Sequence, residues 1–209
     1  MNKTRISLNL KSAIYTIIMF LVVAVAGAIG TDLGKSFVAR YFTSYTPKDV
    51  LDDDWDRYSF ETTHFSLLSP CLPKIKQITI PKEIMSKISR VENYSCGEYT
   101  FQISITSVVY QDGIVTDAHR AVDSMVAALR GLDGVTNFTH STTPVMRSGR
   151  HGLLFHGTYN RKRSQITFKG IILAENSRGW QIGIFYPSGD NIAAQVAQKV
   201  IVSIQIGNI

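Results

Sequence analysis

The sequence predicts an α+β fold: an antiparallel β-sheet with helices packed on its faces, preceded by one N-terminal transmembrane helix. Three observations carry the prediction. Between Lys11 and Asp32 lie 20 residues without a charge. Beyond the acidic run Asp52–Asp54, segments of strand-like alternation are joined by short polar turns. Two segments with helical apolar spacing stand among them, one between strand blocks and one near the end of the chain. The chain has 209 residues, 18% of them charged, and a mean hydropathy of +0.04. That composition excludes a disordered chain, a collagen, a disulfide-dense miniprotein and a multi-span membrane protein.

The apolar segment comes first. A helix from Ser12 to Thr31 rises about 30 Å at ~1.5 Å per residue, which matches the hydrocarbon core of a bilayer. Lys3, Arg5 and Lys11 precede it with no acid among residues 1–12, and the residues after it are mixed in sign. The positive-inside rule places residues 1–12 in the cytoplasm and the C-terminal domain on the extracytoplasmic side of an inner membrane, in the periplasm. A cleaved signal peptide is the competing reading, because Ala24-Val25-Ala26 and Ala26-Gly27-Ala28 are both A-x-A-like. The uncharged stretch is longer than the about 7–15 residues of a usual signal core, which favours a retained anchor over residues 13–31. Ala26, Gly30 and Gly34 form a small-xxx-small series that lets helices approach closely, so they are candidates for self-association into a homo-oligomer. Residues 32–54 read as a linker. Its run Asp52–Asp54 has neither the alternating ligands nor the glycine of a hard-cation loop, and reads as solvated.

Residues 55–209 have the size of one domain and a net charge of +5. Spread over about 155 residues that surplus is mild, and with export it argues against nucleic acid as a partner. Arg57–Glu61 and Phe65–Ser69 flank Thr62-Thr63-His64 as a hairpin. Lys76–Ile80 and Ile88–Val91 are weaker strand candidates. From Thr100 to Tyr110 the sequence alternates. Phe101, Ile103, Ile105, Ser107 and Val109 point one way and Thr100, Gln102, Ser104, Thr106 and Val108 the other, which predicts one buried face and one polar face. In Asp117–Gly131 the residues Ala118, Ala121, Val122, Met125, Val126 and Leu129 make an apolar stripe, with Thr116 or Asp117 as cap and Gly131 suited to the C′ position. Val135–Thr142 is expected as an edge strand ended by Pro144. Leu153–Asn160, Gln165–Glu175 and Trp180–Tyr186 are joined by short polar turns and predict a meander. A helix from about Asn191 to Ile204, capped by Ser188 or Asp190, completes the order.

This arrangement resembles the PsbP-like α/β/α sandwich. The segments that carry the likeness are the hairpin Tyr58–Phe65 running into Pro70, the strand Tyr99–Tyr110, the central helix, the meander and the ending Ala197–Ile206. The fold is shared by a photosystem extrinsic subunit, a Ran-binding nuclear import factor and many exported bacterial proteins. The resemblance covers about residues 57–206. It implies a shape and transfers neither a reaction nor a binding residue.

The residues that could carry chemistry are few. Cys71 and Cys96 sit at strand ends, and export makes a disulfide between them the expected state. A Cys-dependent hydrolase is the sharper alternative, with one of them as nucleophile and a histidine as base. His64, His119, His140, His151 and His156 lie in no nucleophile motif, and none of the common metal, phosphate or dinucleotide signatures occurs. No cofactor is expected. Arg161-Lys162-Arg163, with Arg147 and Arg150 nearby in sequence, is the one dense basic spot. It could touch anionic headgroups or an acidic partner; a solubilising turn that protects strand edges is the plainer reading. Asn93-Tyr94-Ser95 and Asn137-Phe138-Thr139 match the glycosylation pattern. The reading that follows is a membrane-anchored extracytoplasmic binding or accessory domain with a protein partner in the envelope and no catalytic motif. A Cys-dependent hydrolase and a carrier of a small ligand between sheet and helix are the alternatives. About 17% charge within residues 55–209 is lean, which favours a partner-covered surface. Thiol labelling of the native, unreduced protein should modify neither cysteine. Crosslinking in membranes should give species above the monomer, and monomer alone removes the role of Ala26, Gly30 and Gly34.

Overall fold

The computed structural model describes residues 45–60, 64–77, 85–98 and 100–207. The anchor expected over residues 13–31, with Ala26, Gly30 and Gly34, lies outside them, as do the hairpin turn at 61–63 and most of the weak strand 76–80. Among the described residues no helix is long and apolar enough to cross a membrane.

The elements run α1 (Asp49–Asp52), β1 (Asp56–Phe60), β2 (Phe65–Ser69), β3 (Lys74–Ile75), β4 (Ile88–Glu98), β5 (Phe101–Tyr110), α2 (Ala118–Gly131), β6 (Val135–Arg147), β7 (Arg150–Arg161), β8 (Ser164–Glu175), β9 (Arg178–Pro187), α3 (Asn191–Val202) and β10 (Gln205–Ile206). Seven strands form one antiparallel sheet in the order β3-β4-β5-β9-β8-β7-β6. The hairpin β1–β2 and the short β10 form a separate three-stranded sheet.

The large sheet is the middle layer. On one face Met125 and Leu129 of α2 pack with Val108, Phe155, Phe168 and Phe185. On the other, Val196 and Val200 of α3 pack with Ile103, Ile105, Ile171, Trp180 and Ile182, and the small sheet adds Phe65 and Leu67. Successive residues of one strand therefore serve opposite cores, as the two-residue period of a strand requires. Every residue of β9 from Gly179 to Tyr186 is buried.

This two-sided burial corrects the expectation for β5. Its alternation is real, but both faces are covered: residues 101–108 are all buried, Gln102, Ser104 and Thr106 included. It also explains why most of β4 escapes detection in the sequence. Asn93, Ser95 and Gly97 are residues of turns elsewhere, yet here they belong to an interior strand. Asn93 is 2% exposed, which removes it as a glycosylation acceptor. β6 continues through Pro144 to Arg147, since an outermost strand leaves one row of backbone groups outside the ladder and tolerates a missing N–H. Gly131 is the last helical residue of α2 and not its C′; the positive φ of this connection falls on Gly134. The segment read as linker does not stay detached to its end. Val50 is buried in the α3-side core, and Lys199 donates to the Leu51 carbonyl at 3.0 Å.

One buried carboxylate holds this segment in place. Asp190 caps α3 by accepting from the Ala193 N–H at 2.9 Å. Its other oxygen accepts from the Thr46 N–H (3.0 Å), the Thr46 hydroxyl (2.9 Å) and the Thr100 hydroxyl (2.6 Å). Burial pushes the carboxyl up, but the Ala193, Thr100 and Thr46 donors outweigh it and hold it below the usual carboxylate value. A lowered folded-state pKa means that this stabilisation is complete above the unfolded pKa and is lost as pH falls through the folded one. Asp190→Ala should therefore cost about 2–4 kcal/mol in a denaturant melt near neutral pH, from the lost cap and the stranded threonines. The difference from the unsubstituted protein should shrink as pH drops below about 4.

Candidate functional site

The feature of this fold that packing does not explain lies on the α2-side face of β4, β5 and β9. Cross-strand register sets its side chains in rows. Asn93 pairs with Thr106 and Thr106 with Gln181. In the next row Ser95 pairs with Ser104 and Ser104 with Gly183, and in the third Gly97 pairs with Gln102 and Gln102 with Phe185. The same face carries Val108 and Tyr110 farther along β5, where they join the α2 core. The face is thus split into an apolar part packed with α2 and a polar part built of amides, hydroxyls and glycines.

The polar side chains of this part are closed to water, and Gly97 at its end is exposed. Asn93, Ser95, Gln102, Ser104, Thr106 and Gln181 are all between 0% and 3% exposed. Thr106 donates to Asn93 Oδ1 at 2.9 Å. Asn93 Nδ2, Ser95 Oγ, Gln102 Nε2, Ser104 Oγ, and both Nε2 and Oε1 of Gln181 have no hydrogen-bond partner. Each such group costs about 1–3 kcal/mol when left unpaired in the interior. Rings border the polar area: a Cβ on Gly183 would meet Phe185 Cζ at 3.5 Å and Phe155 Cζ at 3.8 Å. Nearby Tyr110 is pushed far up by burial, so its phenol is neutral at any physiological pH. The signal for this site was present in the sequence as the alternating Gln102, Ser104 and Thr106. It reads as a solvent face because a strand alone does not say what covers it.

The residues singled out in the sequence fall elsewhere. Cys71 and Cys96 are joined as a disulfide with Cα atoms 5.9 Å apart, tying the segment after β2 to β4. The Ser69 hydroxyl donates to the Cys71 carbonyl at 2.8 Å and lies 3.5 Å from Cys96 Sγ. Arg161-Lys162-Arg163 lies at the β7–β8 turn, with Lys162 at φ 56°. Arg147 and Arg150 sit at the opposite end of β7, roughly 35 Å away at ~3.3 Å per residue, so the five do not form one patch. Arg150 is structural: its side chain is 6% exposed, pairs with Glu175 at 2.7 Å and donates to the Gly207 carbonyl.

His119 and His151 line one open cleft of about 560 Å³, with Thr116, Asp117, Arg120 and Pro144. The cleft opens at the N-terminus of α2, but Asp117 already accepts from the His119 and Arg120 N–H groups at 2.9 and 3.4 Å. The amides that would hold an anion are occupied by the chain's own carboxylate. His156 is exposed beside the Ser141 hydroxyl at 3.1 Å. Among the described residues no three His, Cys, Asp or Glu side chains converge on a metal-sized site.

No protein-family model and no curated protein sequence matches the chain. Solved structures do. PsbP from Synechocystis sp. PCC 6803 is 8% identical over 73% of this chain and 92% of its own, with a TM-score of 0.50. LpqN of Mycobacterium tuberculosis, described as involved in cell envelope biogenesis, is 13% identical over 79% of this chain and 99% of its own, with a TM-score of 0.39. A Bacteroides thetaiotaomicron VPI-5482 protein is 11% identical over 75% of this chain, which spans half of that protein's length, with a TM-score of 0.42. The chain has the PsbP-like fold. At these identities the likeness concerns the fold alone.

Unpaired polar groups give a direct expectation. Ser104→Ala removes a buried hydroxyl that bonds to nothing, and should stabilise the ligand-free protein by about 1 kcal/mol in a urea melt. A loss of stability would mean that Ser104 is hydrogen-bonded in the free protein.

Proposed function

We propose that the chain is a membrane-tethered extracytoplasmic binding or accessory domain, with no catalytic motif, that serves another component of the cell envelope. The observation that carries the reading is the Cys71–Cys96 disulfide. The chain has two cysteines, and the bond uses both, so neither is a thiolate nucleophile. Such a bond also persists in an oxidising compartment, in line with export behind the uncharged segment 12–31. In this reading the basic turn Arg161–Arg163 faces anionic headgroups or an acidic partner surface.

The alternative of a carrier that holds a small ligand between sheet and helix is disfavoured, because the α2-side face of the sheet is closed: its polar side chains Asn93, Ser95, Gln102, Ser104, Thr106 and Gln181 are 0–3% exposed, and α2 packs on the rest.

The test uses the full chain expressed in a bacterial envelope. Protease added to intact spheroplasts should digest the domain. Membranes washed with carbonate should retain it, and the cysteines should label only after reduction. A domain protected until the cells are lysed overturns the topology, and two thiols labelled without reductant overturn the exclusion of a cysteine nucleophile.

A further inference from the structure

We infer that the end of the sandwich bearing the β7–β8 turn docks on the anionic headgroups of the bilayer that carries the chain's own anchor. The inference rests on the tethered reading above and deepens it by naming the surface that Arg161, Lys162 and Arg163 meet.

Register comes first. Pro187 at the end of β9 pairs with Ile166 near the start of β8, Ser164 of β8 with Arg161, and Arg161 with Val135 at the start of β6. The C-terminus of α2, with Arg130 in its last turn, leads into β6 at this same end. The described chain also enters here. The Thr46 N–H donates to Asp190 Oδ2 at 3.0 Å, and the Asp190 N–H donates to the Pro187 carbonyl at 3.2 Å. Ile166, opposite Pro187, is about 10 Å of strand from Arg163. Residues 32–44, between the expected anchor and this point, reach at most about 45 Å when fully extended. That length brings the β7–β8 end to the bilayer with slack. The far end of β7 is about 35 Å farther along the sheet, and turning it to the bilayer would draw the tether almost straight.

Charge points to the same surface. Arg130, Lys162 and Arg163 are exposed and Arg161 is half-buried. The connection from α2 to β6 adds a single acid, Asp133, and Lys48 and Asp49 beside Thr46 cancel. Glu98, at the end of β4, stands three strands from β8, about 15 Å off. Elsewhere cations are matched: Arg90 pairs with Glu92, Arg120 with Asp117 and Arg150 with Glu175. Among the described residues Arg130, Arg161, Lys162 and Arg163 make no ion pair. Tyr45, 77% exposed, stands next to Thr46, and an aromatic ring with a polar tip suits the headgroup level. The turn from Arg161 to Gln165 offers no apolar anchor of the kind that holds protein interfaces together. A bilayer needs none, because the tether holds the domain beside it at high effective concentration and a few charges then suffice.

The experiment reconstitutes the full chain in nanodiscs of phosphatidylcholine alone or with about 30% phosphatidylglycerol, and follows amide hydrogen exchange by mass spectrometry. In the anionic discs, peptides covering 130–134 and 161–165 should exchange about threefold more slowly than in the neutral ones. Peptides covering the opposite turns, at Ser148 and Asn176, should exchange equally in both. About 0.5 M NaCl should abolish the difference. Arg161→Ser, Lys162→Ser and Arg163→Ser together should abolish it as well, since each cation strengthens the attraction roughly fivefold. Arg120→Ser, at the opposite end, should keep it. Equal exchange of the unsubstituted protein in both discs, slowing at the opposite turns, or slowing that survives the triple substitution overturns the docking. Slowing in native membranes but not in anionic discs assigns the turn to an acidic protein and overturns it too. Failure of the tethered reading is separate: carbonate would then wash the chain from native membranes.

Discussion

The domain depends on a seven-stranded antiparallel sheet whose central strands β5 and β9 have both faces out of water. A sheet buried on one side can leave its other face polar and wet; this one cannot, so each face needs a helix. The apolar stripe of α2, with Met125 and Leu129 at 0% exposure, meets one face. That of α3, with Val196 and Val200 at 0%, meets the other. Glycines appear where strands and rings crowd. A Cβ on Gly170 would strike the Ile182 carbonyl and the Phe155 ring, and one on Gly157 the Thr139 carbonyl and the Phe168 ring. Only glycine lets those rings lie flat on the sheet.

The peripheral parts are held by polar and covalent ties. Asp190 collects four donors, two of them from Thr46, and so joins the cap of α3 to the point where the described chain begins. The disulfide fastens the chain after β2 to the interior strand β4. Closing that loop of about 26 residues contributes roughly 3–4 kcal/mol in the chain-entropy model. Arg150 ties the start of β7 to Glu175 and to the Gly207 carbonyl beyond β10. The small sheet adds Phe60, Phe65, Leu67 and Ile206 to the α3-side core, and these ties hold the segments around it on the sandwich.

The same architecture frames the unusual face. Most buried polar groups in folded proteins are paired, so each exception needs a reason. Six unpaired atoms on Asn93, Ser95, Gln102, Ser104 and Gln181 share one face of three neighbouring strands. Three more unpaired atoms are on Arg147, Arg161 and Arg178. The opposite face of β5 carries Ile103 and Ile105 instead.

Much of the fold was legible in the sequence. The helices α2 and α3 follow from apolar spacing, and Asp117 and Asp190 are the caps that spacing requires. Strands β7, β8 and β9 follow from alternation between polar turns. Local pattern suffices there because each element's own residues state its period and its ends. β4 was legible only at its start, since an interior strand that reads Asn, Ser and Gly on one face has the local character of a loop. β10, two residues long, has no local signal and exists because β2 offers it an edge.

The sequence by itself determined the periods, the caps, the turns and the presence of two cysteines in a chain headed by an uncharged segment. Tertiary structure decided what lies over each face. Alternation says that Gln102, Ser104 and Thr106 point together, but burial belongs to the assembly, where register brings Asn93 and Gln181 beside them. It likewise drew His119 and His151 into one cleft and put Arg150 in an ion pair far from Arg161. The physical reason is range: periodicity acts over a few residues, whereas burial and pairing act between strands far apart in sequence.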